Sequence, residues 1–288
     1  MLIDFRVRPP YASNLKLAVF ANKKNIPTAP DEQLFTTIDR NPIPSADQQS
    51  VEVFMDELKK EDTRKAVIMG RVSEVGSSHN QSQTNDEAAE LMRRYPDMFL
   101  AFAAVEPRNP KALEEIERTT QSLGFKGVCI DPSFSTPPLY ADAEEIDPIY
   151  RYCEDHHLPV SIMQSGLYVK DLTYTDPIHV QHVAQKYPKL KIIVPHACWP
   201  FIKTLAAVAM MHKNVYLLPD CYAYLKGMFD ISDFVNTVNH FLKYRVLYAS
   251  SYPLRSVAQA RALWTDLPFT DEALRLTLYE NAARLLEL

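Results

Sequence analysis

The chain has 288 residues, 47% of them hydrophobic and 23% charged, and its formal net charge is −5 at pH 7. This length and composition suit an α/β protein, and the acidic balance disfavours nucleic acid and anionic membranes as partners. No apolar run approaches the roughly 20 residues of a membrane helix, and the first residues lack a signal-peptide pattern, so a cytoplasmic location is expected.

The chain opens with residues 2–8, in which apolar and charged side chains alternate with the period of a β-strand. The apolar set is predicted to lie on one face, and Asp4, Arg6 and Arg8 on the other. The first strand of such a chain is expected to be central, so the charged face should look into the middle of the molecule. Burying a guanidinium costs several kcal/mol unless a carboxylate or a ligand completes it, which marks this strand as functional.

Strands and helices then alternate along the chain. The further predicted strands are residues 65–70, 98–106, 125–131, 158–163, 190–196, 214–220 and 245–250. The predicted helices are residues 45–61, 85–95, 110–123, 147–156, 177–187, one from 200, 230–243, 257–264 and 271–286. A capping box is predicted at residues 45–48. Residues 11–44 form a long loop after the first strand, which is a candidate lid.

Eight short, apolar strands that alternate with helices predict a (β/α)₈ TIM barrel, and no shift of composition divides residues 1–288 into separate domains. A doubly wound open sheet is the second choice. It is disfavoured because none of the six glycines falls in phosphate-binding spacing. The four cysteines show no zinc-ribbon spacing and are expected to be reduced thiols.

In a barrel, functional side chains gather where strands end and the following loops begin. The polar residues at those positions are Arg6, Arg8, Arg71, Glu106, Asp131, Gln164, Ser165, His196, Asp220, Tyr222, Ser250 and Ser251. Three arginines at one rim predict binding of a small organic anion, and His196 is the leading general base. The alternative is that arginines and carboxylates pair with each other as a purely structural network.

The remaining histidines are predicted to lie away from this rim. His156 and His157 precede the fifth strand, at the opposite end of the barrel. His179 and His182 share one face of a helix, and helix faces lie outside the barrel, so this pair is not predicted to bind a metal.

Several motifs resemble the amidohydrolase-related family of the metal-dependent hydrolase superfamily, over essentially the whole chain. That family opens with Ile-Asp-x-His-x-His, where this chain has Ile3-Asp4-Phe5-Arg6-Val7-Arg8. Further similar stretches are residues 85–99, 124–127, 158–160, 194–200, 247–253 and 281–286. The resemblance implies a TIM barrel.

The departures from the family pattern concern its metal ligands. The family's first histidine pair is replaced by Arg6 and Arg8, the strand-5 histidine falls on Met163, and the strand-8 aspartate falls on Ser251. Only the strand-6 histidine is kept, as His196. A guanidinium offers no lone pair, so zinc is not expected to bind in the family's manner. No cofactor is predicted, and a substitute metal held by His196 with Asp131 or Asp220 stays open.

Some lactone hydrolases of the family act without metal, and a sister branch decarboxylates small carboxylated acids. The resemblance therefore implies, as leading hypothesis, a metal-independent hydrolase of a small carboxylated lactone or ester. A decarboxylase of the same fold and a non-catalytic binder of small acids are the alternatives, and the oligomeric state stays open, with a homo-oligomer as one option. The expected catalytic groups are His196 and Asp220, and the expected substrate contacts are Arg6, Arg8, Arg71, Asp131, Tyr222 and Ser251.

Overall fold

Seven parallel strands form one curved sheet, in chain order, among the residues that the computed structural model describes. These are residues 1–17, 20, 30, 42–71, 84–166, 169, 171–224, 227–228 and 230–288. The strands are β1 (Leu2–Val7), β2 (Thr63–Met69), β3 (Phe99–Ala104), β4 (Val128–Ile130), β5 (Val160–Ile162), β6 (Ile192–Pro195) and β7 (Val215–Leu218).

The segment at residues 245–252 closes the sheet into a barrel. Leu247 N–H donates to the Leu217 carbonyl of β7 (2.9 Å), and Phe5 N–H of β1 donates to the Tyr248 carbonyl (3.0 Å). The predicted eighth strand is thus correctly placed but forms only isolated bridges. Two further N–H groups of this segment bond outside the sheet: Tyr248 N–H donates to the Thr277 carbonyl and Ser250 N–H to the Asp4 carboxylate. The TIM-barrel prediction is confirmed.

Helices pack around the outside of the barrel. They are α1 (Pro44–Asp47), α2 (Val51–Lys60), α3 (Asn85–Arg94), α4 (Ala112–Glu117), α5 (Asp147–Asp155), α6 (Pro177–Lys186), α7 (Ile202–Met211), α8 (Ile231–Thr237), α9 (Val257–Thr265), α10 (Asp271–Arg275) and α11 (Asn281–Leu286). Wider turns extend α4 to Ser122 and α8 to Leu242, and join α10 to α11.

The predicted capping box at residues 45–48 is wrong. Gln49 adopts φ 52°, which ends α1, and α2 begins anew with the Ser50 hydroxyl accepting from Val53 N–H (3.3 Å). The capping box lies at Thr84 and Glu87, at the start of α3. The serine-to-glutamine spacing fits the motif, but a residue in the left-handed region interrupts the helix, because helical hydrogen bonds cannot continue through it.

The strict alternation predicted for β1 is also wrong. Ile3 and Phe5 pack into the barrel interior, whereas Val7 packs into the layer between sheet and helices. The pairing of β1 with β2 is irregular between Asp4 and Val7. Such a bulge re-aims side chains, so Arg6 points to the rim site while Asp4 bonds the closing segment.

The predicted long loop at residues 11–44 lies mostly outside the described residues. Its first part forms a 3₁₀ turn, Ala12–Lys16. Residues 72–83, between β2 and α3, lie outside them too. No helix within the described residues combines the length and the apolar character that crossing a bilayer requires.

Candidate active site

Three neighbouring segments of the barrel turn sharply where they reach the rim. His196 after β6, Asp220 after β7 and Ser251 in the closing segment have φ of 62°, 48° and 55°. None is a glycine, and a left-handed residue of this kind costs about 1–3 kcal/mol unless its surroundings hold it. Strain of this kind clusters at functional sites, so the rim at His196, Asp220 and Ser251 is the candidate active site.

Arg6, His196 and Asp220 form a closed, buried triangle. Arg6 Nη1 lies 2.6 Å from Asp220 Oδ2 and 3.2 Å from His196 Nε2, and His196 Nδ1 lies 2.9 Å from Asp220 Oδ1. Arg6 is only 1% exposed and Asp220 fully buried. The structure therefore brings together three of the predicted site residues from β1, β6 and β7.

The hydrogen bonds fix the tautomer of His196. The Asp220 carboxylate can only accept, so His196 Nδ1–H donates to it and Nε2 accepts from Arg6. Burial, and after it the positive charge of Arg6, lowers the pKa of His196 to about 4, although Asp220 acts in the opposite direction. The imidazole is therefore neutral near pH 7, with its lone pair directed at Arg6.

The lowered pKa of His196 predicts a pH-dependent contribution to stability. An imidazole that is neutral in the fold contributes fully above its ordinary pKa of 6.5, and the contribution is lost as pH falls from 6.5 towards 4. We expect the stability difference between the wild type and His196→Asn to shrink by roughly 1–2 kcal/mol from pH 7.5 to pH 5. Urea unfolding of both proteins at both pH values measures it.

The comparison of the wild type with His196→Asn also cancels the pH-dependent stability contribution of Asp4, which has the opposite sign. Burial raises the pKa of Asp4 to about 6, so the stability that its protonated form gives is lost as pH rises from about 4 to 6. Both proteins share this effect. If the free energies of unfolding of the wild type and His196→Asn differ by the same amount at pH 5 and pH 7.5, a neutral, buried His196 is contradicted.

A second buried ion pair lies on the other side of the rim. Arg71 Nε donates to Asp131 Oδ2 (2.7 Å), and Arg71 Nη2 bonds the same oxygen. The guanidinium also lies 4.8 Å above the ring centre of Phe134. Burial raises the pKa of Asp131, and Arg71 only partly offsets this. Asp131 is thus a carboxyl group with a raised affinity for a proton.

Tyr222 and Ser251 support the His196–Asp220 corner. The Tyr222 ring stacks on His196 with centroids 4.5 Å apart, and its hydroxyl lies 3.0 Å from the Ser165 hydroxyl. Ser251 Oγ accepts from Cys221 N–H (3.1 Å), which fixes the turn at Asp220. Both predicted substrate contacts lie at the rim, where these bonds hold them in place.

The loop after β5 approaches the His196 turn so closely that it needs a glycine. A Cβ on Gly166 would lie 2.3 Å from the Trp199 carbonyl oxygen, which no side chain tolerates. Met163, which precedes this loop, is fully buried in the barrel interior.

Arg8 differs from the other two arginines. It is partly exposed, and no hydrogen bond or ion pair of its side chain is found among the described residues. Burial, and then the charges of Arg6 and Arg71, lowers the pKa of Arg8 to about 9. The guanidinium therefore stays charged at pH 7 in a place that already carries positive charge.

Several buried polar atoms at the rim lack a hydrogen-bond partner among the described residues. They include Nε and Nη2 of Arg6 and both amide atoms of Gln164, which is 1% exposed. Buried polar groups are nearly always bonded, and an orphaned one costs about 1–3 kcal/mol. Sequence reasoning placed Gln164 at the rim but gave it no role, because only the fold shows that its amide is unsatisfied.

The fold and the rim define a TIM-barrel protein with an arginine-rich site at the carboxyl ends of its strands. The chain belongs to the amidohydrolase family, whose profile matches residues 38–288. The match begins after β1, so the position of Arg6 and Arg8 lies outside it.

Individual relatives add detail. An uncharacterised TIM-barrel protein from Bordetella bronchiseptica is 27% identical, with 99% of this chain and 98% of that chain covered and a TM-score of 0.83. A gamma-resorcylate decarboxylase from Rhizobium sp. (strain MTP-10005) is 34% identical over 104 residues, which is 34% of this chain and only 28% of that protein.

A 5-carboxyvanillate decarboxylase from Novosphingobium aromaticivorans shares the fold. It is 18% identical, with a TM-score of 0.67, and 100% of this chain and 96% of that chain are covered. Its structure was solved with manganese and a nitrobenzoic acid derivative.

The rim residues of the present chain are not suited to bind a metal ion such as manganese. Among the described residues, His196, Asp220 and Cys221 place donor atoms within 4.8 Å of one another. However, the Arg6 guanidinium contacts both His196 and Asp220, so a cation already lies beside two of the three donors. Burial also raises the pKa of the Cys221 thiol well above its usual range, which disfavours the thiolate that binds metals. These residues therefore do not form a metal centre suited to the reaction.

Proposed function

We propose that this protein decarboxylates a small, hydroxylated aromatic acid, which it binds through Arg8, Arg6 and Gln164 without a metal at the rim. The observation that carries the proposal is the set of unsatisfied donors on buried Arg6 and Gln164. A carboxylate or phenolate oxygen is the acceptor that such donors favour, and charge-assisted bonds to arginine are the stronger ones.

The charges of the rim support an anionic ligand. Asp220 balances Arg6, and Asp131 balances Arg71 as long as Asp131 is ionised. Arg8 has no such carboxylate among the described residues, and its pKa is lowered first by burial and then by repulsion from Arg6 and Arg71. A ligand carboxylate would relieve that repulsion. In this proposal Arg8 makes the main charge contact with the ligand, and Arg6 and Gln164 donate the hydrogen bonds that orient it.

Decarboxylation is preferred to hydrolysis because of the relatives and because of Asp131. The curated relative and one structural neighbour are named as decarboxylases of hydroxylated aromatic acids. A carboxyl group with a raised pKa, such as Asp131, is suited to give a proton to the ring carbon that bears the carboxylate. The bond between that carbon and the carboxylate then breaks, its electron pair restores the aromatic ring, and carbon dioxide leaves.

In this mechanism His196 and Asp220 are positioning residues. Both oxygens of Asp220 are bonded, and although burial alone would raise its pKa, His196 and Arg6 lower it below the usual range. Asp220 is therefore a weak base. The pair holds Arg6 in the orientation that presents Nε and Nη2 to the ligand.

Hydrolysis of a carboxylated lactone or ester is the second candidate, and the neutral imidazole of His196 favours it. A neutral histidine that an aspartate orients through Nδ1 can activate water through Nε2. Arg6 would first have to turn towards the ligand, because its Nη1 now donates to that nitrogen.

Ligand binding is tested by thermal unfolding with 2,6-dihydroxybenzoate and, as a control of equal ring size, resorcinol, which lacks the carboxylate. At about 100 times its dissociation constant the acid should stabilise the protein by about 2.7 kcal/mol. Resorcinol should have little effect. Arg8→Met should abolish the response to the acid and leave the melting temperature of the free protein unchanged. Equal responses to the acid and to resorcinol would contradict the assignment of Arg8.

Turnover is tested by chromatography of the same mixtures. Decarboxylation of 2,6-dihydroxybenzoate yields resorcinol and carbon dioxide, whereas hydrolysis of carboxylated lactones releases a proton that a pH indicator detects. Carboxylate binding without turnover of any hydroxybenzoate or lactone in the panel would favour the non-catalytic binder.

A further inference from the structure

A second group of metal-ligand side chains lies on the outer surface, apart from the rim. His179 and His182 are one turn apart on α6, and Asp142 comes from the loop between β4 and α5. His179 Nδ1 lies 2.8 Å from Asp142 Oδ1, and His182 Nδ1 lies 2.6 Å from Asp142 Oδ2. The structure thus adds to the predicted histidine pair a carboxylate that sequence reasoning missed.

We infer that Asp142, His179 and His182 form a binding site for a divalent transition metal of the zinc type. Their donor atoms all lie within 4.8 Å of one another. Ligands in a tetrahedral zinc site lie about 2.0–2.2 Å from the ion, and therefore roughly 3.3 Å from each other. The two histidine–aspartate contacts, now 2.8 and 2.6 Å, would have to open by about 0.5 and 0.7 Å. Two imidazoles and one carboxylate suit zinc, whereas magnesium and calcium prefer oxygen ligands alone.

The site is accessible and its geometry is largely set before an ion binds. His182 is 49% exposed, and Asp142 and His179 are 24% and 18% exposed. Tyr140 stacks on His179 with ring centroids 4.3 Å apart, and Tyr174 stacks on Tyr140 at 4.6 Å.

A buried hydrogen bond anchors the backbone next to Asp142. The Tyr150 hydroxyl donates to the Ala141 carbonyl at 2.6 Å. The Asp142 carboxylate therefore stays close to the two imidazole rings, and metal binding requires little further ordering of the ligands.

Metal binding would change which nitrogen of each ring carries a proton. In the free protein each Nδ1–H donates to the Asp142 carboxylate, which accepts only. When zinc binds, that proton moves to Nε2 of the same ring, Nδ1 gives its lone pair to the ion, and Asp142 gives an oxygen. The ion would join the loop after β4, which starts at Asp131, to the first turns of α6. Zinc would therefore act as a clamp between this loop and α6, independently of the proposed reaction.

Calorimetric titration of tag-free protein with zinc chloride tests the site. We expect one high-affinity zinc per chain and a higher melting temperature with zinc, and no competition from excess magnesium. His182→Gln and Asp142→Asn should each weaken binding at least roughly 100-fold, because even outer partners of metal ligands are worth about 10–100-fold. Since His182 and Asp142 lie at the surface, these variants should fold normally.

Two further measurements separate this site from the rest of the chain. His240→Gln removes another exposed histidine and should leave zinc binding unchanged. X-ray absorption should show nitrogen and oxygen ligands alone. A zinc–sulfur distance of about 2.3 Å would place the ion at Cys221 instead. High-affinity zinc that persists in both His182→Gln and Asp142→Asn, or no zinc binding by the wild type, would overturn the inference.

Discussion

Replacing Arg6 by methionine is expected to destabilise the protein by about 3–5 kcal/mol, because Asp220 would stay buried with no guanidinium beside it. Arg6 Nη1 and Asp220 Oδ2 are 2.6 Å apart, and both side chains are almost completely shielded from water. For large domains each kcal/mol corresponds to roughly 2–4 °C, so a melting temperature lower by about 10 °C is expected. Calorimetry and urea unfolding at pH 7.5 measure the effect.

Arg8→Met is the matched control, because it removes the same charge two residues further along. Arg8 has no ion pair among the described residues, and burial followed by the charges of Arg6 and Arg71 lowers its pKa, so its loss should not destabilise the fold. The double variant Arg6→Met/Asp220→Asn should recover much of the stability that Arg6→Met loses, since the orphaned charge is then removed. If Arg6→Met and Arg8→Met were equally stable, the buried pair would not hold the rim together.

Replacing Asp131 by asparagine is expected to lower kcat by about 10²–10⁴-fold, the usual loss when a proton donor is removed. Asparagine keeps an oxygen for Arg71, so binding of the acid should be preserved and the effect should fall on kcat rather than on KM. The measurement is steady-state decarboxylation of the acid that the turnover screen identifies. The alkaline limb of the pH profile, which reports the proton donor, should disappear in the variant.

His196→Asn is the comparison that assigns the chemistry. As a positioning residue for Arg6, His196 should affect affinity for the acid more than kcat. The opposite pattern, with kcat reduced, affinity preserved and full activity in Asp131→Asn, would transfer the central role to His196 and favour hydrolysis. An unchanged kcat in Asp131→Asn would by itself remove Asp131 as proton donor.

Local sequence patterns predict much of this architecture. Short apolar segments separated by amphipathic ones predict alternating strands and helices, and the order of those elements already indicates a barrel. The predicted start of a helix at residue 177 matches α6, where the Asp176 side chain accepts from the Ile178 N–H group two residues away. Rim positions such as His196 and Asp220 were readable too, because the end of an apolar strand locates the rim.

The sequence by itself determined which residue types reach the rim, including the arginines in place of the family's first histidine pair. Only the tertiary structure decided their partners: that Arg6 is balanced by Asp220, that Arg8 is left without a carboxylate among the described residues, and that Asp142 meets His179 and His182 across 37 and 40 positions. The reason is physical. Periodicity and capping depend on neighbours within one or two turns, whereas ion pairs and burial depend on where the bulge in β1 and the loops between strands place side chains that are far apart in the chain.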